Sequence, residues 1–318
     1  MSINETSVKG KQPNVASISY NKLSWVYIEK PTRAEADYLA QNYPFHPLNL
    51  DDILGRIQRP KIDEYKDHLF VVLHFPVFDK QTQMIMPSEV DIFIGEDYLV
   101  TVHCSGDLKP LTAFFQQCQS DEKSRQTYMG QGSGFLLYHI LHTLTEYCSP
   151  MLNRITESIE AVENVIFAKT TIDTVRRISW IRRDLISLRS VIHPQIAVIE
   201  TLEKKEYPFF KEGREVYFGD IADHYRKVWD GLQDAKEVID SLTDTSNWLT
   251  SHNIQEVMRV LTIFMAIVMP VEVVASIEGS NLLPESWLHN PTLFHFSFLV
   301  QAVIVIIMLI FLRRRRWI

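Results

Sequence analysis

Glu272 is the side chain whose setting most constrains the chemistry. It is the single charge among the eighteen residues from Val260 to Ile277. That run is long and apolar enough to read as a membrane-crossing helix rather than the core helix of a soluble protein. A carboxylate is costly in hydrocarbon, so it faces a bundle interior or a water-filled path and marks a route for ions or protons. The run stops at Gly279-Ser280-Asn281, where the chain should leave the bilayer. Upstream, Asp223, Asp230, Glu237 and Asp244 recur every seven residues, and Ser251, Met258, Met265, Glu272 and Gly279 continue the count. A straight helix drifts about 20° per heptad, so this column keeps one face only where helices supercoil. It reads either as a solvated acidic face, with Lys227 and Lys236 nearby, or as the flank of a cation funnel around an axis shared by several copies.

Other constellations are weaker. Met258, Leu261, Met265 and Met269 step by threes and fours along the face of Glu272, a spacing that suits helix packing. Two adjacent carboxylates, Asp51 and Asp52, lie in a short helix opened by His46-Pro47-Leu48. His139 and His142 stand one helical turn apart with no evident third ligand, and His103-Cys104 has no partners for a catalytic set. No glycine-rich phosphate loop occurs, and the chain has only 11 glycines, which disfavours a nucleotide-driven pump. We therefore expect no enzyme activity, no nucleotide partner and no organic cofactor.

The elements that position these groups follow from patterning. A second apolar run, Leu293 to Leu312, ends at Arg313-Arg314-Arg315-Arg316-Trp317. Four arginines fix that end in the cytoplasm, and Trp317 suits the lipid interface. The loop between the runs, from Glu278 to Pro291, holds no Lys or Arg, so it should lie outside with both chain termini inside. Residues 1–20 are polar and expected to be loose. Residues 21–130 mix helix and strand signals and predict an α/β domain, with strands over Leu23 to Glu29, Ile62 to Phe78, Ser88 to Ile94 and Tyr98 to His103. A helix opens at Pro31-Thr32 and runs to about Tyr43. Residues 131–256 predict a helical domain and stalk, with patterns over Phe135 to Thr170, Ile172 to Glu203 and Arg214 to Ile277. The last would extend about 95 Å, and a helix of that length needs partners, so self-association is expected. Residues 257–318 form the two-span hairpin.

Composition agrees with an acidic cytoplasmic body on a membrane anchor. Formal net charge is −7 although four arginines cluster at the carboxy terminus, which argues against nucleic acid as a partner. Cys104, Cys118 and Cys148 form no CxxC pair and read as reduced thiols. The first twenty residues lack the apolar run of a signal peptide.

This order of an α/β domain, a long stalk helix and a two-span hairpin with a basic tail resembles the CorA family of divalent-cation channels. Val257-Met258-Arg259-Val260-Leu261-Thr262 followed by Met269-Pro270 is similar to the family's first span. His46-Pro47-Leu48, Leu50-Asp51-Asp52-Ile53-Leu54 and Gln58-Arg59-Pro60-Lys61 resemble its amino-terminal signature. Ile181-Arg182-Arg183-Asp184-Leu185, Leu188-Arg189 and His193-Pro194 resemble its central helix. The resemblance implies an α+β membrane protein, a homopentamer in the cell (inner) membrane, whose first span lines the pore. It also implies that Gly279-Ser280-Asn281 stands where the family has Gly-Met-Asn. Gly279 and Asn281 keep the pattern, Ser280 replaces Met, and Glu278 replaces the usual Tyr. A ring of Asn281 amides could hold hydrated Mg2+ without stripping it; taken alone, Asn281 would be a helix C-cap. Glu272 falls where the family has a pore-lining hydroxyl, and Ser276 lies between it and the mouth. Met258, Leu261, Met265 and Met269 would form the apolar gate, with Asp244 below them. A regulatory intersubunit metal site is implied at Asp52 and Asp220, with Asp51 and Asp223 close by. Mg2+ is the cation expected, and the acidic departures admit Zn2+, Co2+ or Ni2+. A proton-linked transporter or a non-conducting scaffold are the alternatives.

Overall fold

The computed structural model describes residues 13–55, 57–79, 81–82, 84–104, 108–166, 172–207, 210, 214–279 and 291–315. Ser280, Asn281, Arg316 and Trp317 lie outside them, as does most of the loop between the two apolar runs. The chain divides into two compact units, Met1–Leu242 and Thr243–Ile318.

The first unit is built on a six-stranded sheet. Its strands are β1 (Val15–Tyr20), β2 (Leu23–Glu29), β3 (Lys61–Glu64), β4 (His68–Asp79), β5 (Met84–Gly95) and β6 (Tyr98–His103), in the order β1-β2-β6-β5-β4-β3. Only the β2–β6 pair is parallel. The long hairpin of β4 and β5 pairs His68 with Gly95 through Asp79 with Met84. β4 is buried on both faces over most of its length, which is why HLFVVLHFPVF reads as a continuous apolar run. The expectation of a loose stretch over 1–20 does not hold for Val15–Tyr20. VASISY is too small and polar to announce a strand, yet it pairs along its length with β2. Asn21 makes the turn between them at φ 52°, a left-handed conformation that Asn tolerates well.

Helices cover both faces. α1 (Arg33–Asn42) starts where Thr32 and Glu35 form a reciprocal capping box. With α2 (Pro47–Asp52) it encloses a core of Val26, Ile28, Phe70, Val72, Phe93 and Val102. On the other face α3 (Lys109–Ser120) sets Phe114 and Phe115 against Trp25, whose indole N–H donates to Thr101 Oγ1 at 3.1 Å. α4 (Glu122–Met129) and α5 (Ser133–Glu146) complete that layer. The single helix expected from Phe135 to Thr170 is in fact two, α5 and α6 (Ser149–Ile166). The break falls at Pro150, which lacks a backbone N–H and stands in the first turn of α6, where that donor is not needed.

α7 (Ile172–Lys204) and α8 (Arg214–Glu278) follow. Within the first unit α8 buries Phe218, Ile221, Tyr225, Val228, Leu232 and Ile239, one side of a helix at three- and four-residue steps. Polar contacts tie it to α7: Arg226 reaches Glu200 at 2.7 Å, Arg182 pairs with Asp240, and Arg189 lies 4.6 Å over the Trp229 ring. The second unit holds the end of α8 and the helix α9 (Pro291–Arg314).

One buried hydrogen bond joins α7 to the sheet. β3 pairs β4 only from Leu69 to Val72, so beyond it the edge of β4 is open. The His74 backbone N–H there donates to Gln195 Oε1 at 3.0 Å, and Gln195 in turn donates to the Val191 carbonyl at 2.9 Å. Gln195 is fully buried. Replacing it with Leu should leave a buried N–H without a partner and cost about 1–3 kcal/mol. A lowered thermal unfolding midpoint of the full-length protein in detergent checks this, and an unchanged midpoint refutes it.

Candidate functional site

In the second unit α8 and α9 are long and apolar enough to cross a membrane, and the apolar window of each is almost wholly uncovered. The half-buried residues of α8 here are Ile263, Ala266, Ile267, Val268, Pro270, Val271 and Val274, and at 100° per residue they spread over one broad side of the helix, centred near Ile267. Glu272 lies on the opposite side and is exposed, as are Met258, Leu261, Met265 and Ser276. Met269 stands at the edge of that face and is equally uncovered. α9 has its own half-covered stripe at Val300, Gln301, Ile304, Val305 and Met308. Among the described residues no Lys or Arg is paired with Glu272; the ion pair in this stretch joins Arg259 to Glu256 at 3.2 Å. The helix ends at Glu278, and the Gly279 N–H still donates to the Ala275 carbonyl at 3.0 Å. Arg313 and Arg314 occupy the last turn of α9.

The first unit places the other predicted acids. The His46-Pro47-Leu48 signature is a helix start. His46 Nδ1 accepts from the Leu48 N–H at 3.2 Å, and Pro47 takes the first helical position, where its missing N–H costs nothing. Asn49 is buried and donates to the Tyr65 hydroxyl at 2.9 Å. The helix so fixed carries Asp51 and Asp52 at its end. Asp51 is exposed with Arg33 at 3.4 Å, and Asp52 is three-quarters covered with Lys61 Nζ at 2.9 Å. On α8 Asp223 pairs with Arg226 at 2.7 Å, and Asp220 lies near Tyr138. Burial, then the Asp220 charge, holds the Tyr138 pKa above its usual value. Asp223, Asp230, Glu237 and Asp244 are all exposed, on the side of α8 away from its buried stripe. Among the described residues no three His, Cys, Asp or Glu side chains of one chain converge to hold a metal ion. His139 and His142 are no exception: His139 packs among Phe135, Tyr138 and Tyr128, and burial drives its pKa down to about 4.

One acid escaped the sequence reading. Asp91, on β5, is 1% exposed, and among the described residues neither carboxylate oxygen has a hydrogen-bond partner. Burial raises its pKa well above the ordinary value, and the neighbouring charges of Glu89 and Asp52 push the same way; only Lys61 opposes them. The alternation Glu89, Val90, Asp91, Ile92 is the pattern of a half-solvated strand, but this sheet is covered on both faces, so the acids went inside.

Comparison with known proteins gives a consistent result. The sequence profile of the family described as "CorA-like Mg2+ transporter protein" matches residues 20–314. The cobalt/magnesium transport protein CorA of Thermotoga maritima is 26% identical over 301 residues, 92% of this chain and 83% of that protein. The putative metal ion transporter YfjQ of Bacillus subtilis is 28% identical over 299 residues, 92% of this chain and 89% of that protein. Among solved structures, the complete CorA magnesium transporter of Methanocaldococcus jannaschii superposes with a TM-score of 0.80 at 22% identity, covering 95% of this chain and 94% of that one. At that identity the likeness shows a shared fold.

The buried carboxyl gives a pH prediction. A raised folded-state pKa means that Asp91 favours folding fully only below about pH 4, the unfolded Asp value. That contribution is lost as pH rises toward the folded pKa. Asp91→Asn should therefore raise the thermal unfolding midpoint at pH 7–8, with the gain shrinking to nothing near pH 4. A gain that does not vary with pH would contradict the assignment.

Proposed function

The chain belongs to the CorA-like Mg2+ transporter family, and from that membership we propose that it carries divalent cations, magnesium foremost, along the axis of a homopentamer whose pore its own first span lines. It is a transporter of the CorA type, and its place is a membrane. We read that as the cell (inner) membrane with both termini cytoplasmic, since Arg313 to Arg316 follow the second span. The observation that carries the pore reading is the disposition of α8. Glu272, Met258, Leu261, Met265 and Ser276 are uncovered, on the side of the helix away from its half-buried stripe.

On this reading each part has a physical task. Mg2+ sheds its water reluctantly, so the Asn281 amides, with Gly279, Ser280 and the Glu278 ring, receive a hydrated ion at the mouth. The exposed methionines close the path by dewetting and repack as it widens. Five Glu272 carboxylates at one level repel one another, and a cation among them relieves that repulsion. Asp52 with Asp51 faces Asp220 with Asp223 of the neighbouring subunit, and cytosolic metal between them holds the ring closed. When the metal leaves, like charges drive the subunits apart. Glu272 also supports a second reading, a proton-linked transporter of zinc, cobalt or nickel, in which the same carboxylate titrates as it carries.

Liposomes with Mg2+- and Zn2+-sensitive dyes, with and without a pH gradient, test both. Gradient-independent flux is expected, lowered about tenfold by Glu272→Gln, or roughly 1.4 kcal/mol in the barrier, and lowered also by Asn281→Ala. Flux that follows the proton gradient and uncouples in Glu272→Gln selects the second reading. If neither substitution alters flux, the pore assignment is wrong; no flux of any cation points to a non-conducting scaffold.

A further inference from the structure

Lys61 opens β3, the outermost strand beyond β4. Its Nζ lies 2.9 Å from Asp52 Oδ2 and 2.7 Å from Asp63 Oδ2. Two residues apart on a strand, Lys61 and Asp63 share a face, and the Lys61 ammonium sits 5.3 Å from the Phe70 ring centroid. Over the three side chains opens a concavity of about 600 Å³ that His46, Asn49 and Glu64 also line. Glu64 is already engaged by Lys205 and Tyr207. The ammonium therefore sits between two carboxylates where an incoming cation would be drawn, and each of the three side chains is about two-thirds or more covered. Partial cover strengthens the pairing relative to a fully solvated ion pair.

We propose that Lys61 is a tethered competitor for metal at Asp52: a divalent cation gains this carboxylate only by displacing the ammonium, so Lys61 sets the metal concentration at which the site fills. The inference rests on the reading of Asp52 as a regulatory ligand and deepens it. Being attached to the sheet, the ammonium is present at a high effective concentration that no wash or chelator lowers. Asp63 is its second seat. When metal takes Asp52, Lys61 keeps the Asp63 contact, so displacement breaks one of two contacts rather than both. Removing Lys61 leaves Asp52 part-buried without a counter-charge, and a cation then binds it more tightly. Removing the Asp63 charge has the opposite effect, because the ammonium then has Asp52 alone.

The opposed signs make the test. The full-length protein in detergent is heated at a series of Mg2+ concentrations, and separately of Co2+, at constant ionic strength. The metal concentration giving half of the thermal protection is read for each variant. Lys61→Met should lower it about tenfold, within the usual range of coupling between two sites. Asp63→Asn should raise it about threefold by the same linkage, and Asp52→Asn should abolish the response. Lys61→Gln carries the same expectation as Lys61→Met and replaces it should that variant lose its fold. If Asp52→Asn abolishes protection but loss of Lys61 leaves the half-point unchanged or higher, the competitor role is overturned and the Asp52 reading stands. If Asp52→Asn responds like the wild type, Asp52 is not a ligand and both fail. Weakening by Asp63→Asn with no effect of Lys61 would make Asp63 a ligand and overturn the role of Lys61.

Discussion

An ionised carboxylate is costly against acyl chains, and that cost constrains how the span bearing Glu272 can sit in a membrane. The first span is nearly bare in the single chain, so a hydrocarbon solvent would meet every side of it except the half-buried stripe through Ile263, Ile267 and Val274. Glu272 points away from that stripe. Further copies of the same helix around a wet axis are an arrangement that keeps this side chain hydrated without a counter-charge of its own. Membership of the family and the shared fold make this reading economical, because the same geometry serves transport.

The first unit meets a related difficulty with water in place of lipid. Its surface acids on α8 are exposed, and its acids near α2 are partly covered. Where cover is slight, arginines one turn away take the charge, as Arg226 does for Asp223. Where cover is greater, a single lysine spans two carboxylates. Where cover is complete, at Asp91, burial and the nearby charges of Glu89 and Asp52 hold the pKa well above its ordinary value. Cover thus separates solvated charges and paired, partly covered charges from a carboxyl whose charged form is disfavoured.

Much of the fold is legible in the sequence. The two apolar runs, the uninterrupted helix leading into the first, the strands at Leu23, Ser88 and Tyr98 and the helix at Pro31-Thr32 are carried by periodicity and capping residues, which depend on nearest neighbours along the chain; the single run expected over Ile62 to Phe78 is instead two antiparallel strands, β3 and β4. The misses share a cause in the third dimension. Val15–Tyr20 is a strand only because β2 offers it an edge, and the acids of β5 look solvated until helices are known to cover both faces. The break at Pro150 was a local signal passed over. The proposed pairing of Asp52 with Asp220 came from resemblance, since residues so far apart in sequence on one chain, and answering a second copy, leave no periodic trace. Lys61 was quoted as part of a signature, but its task shows only when β3 is laid beside α2.

On the proposed pore reading, the acidic departures at Glu272 and Glu278 pull in two directions. A hydroxyl at the level of Glu272 offers a hydrated cation a weak, neutral partner, which favours fast release. Five carboxylates at that level attract more strongly at long range and hold longer at short range. On the same reading, a second acidic ring at Glu278 would raise the cation concentration at the mouth and help refill the inner ring. The two acids would then act in series, the outer one supplying ions that the inner one holds.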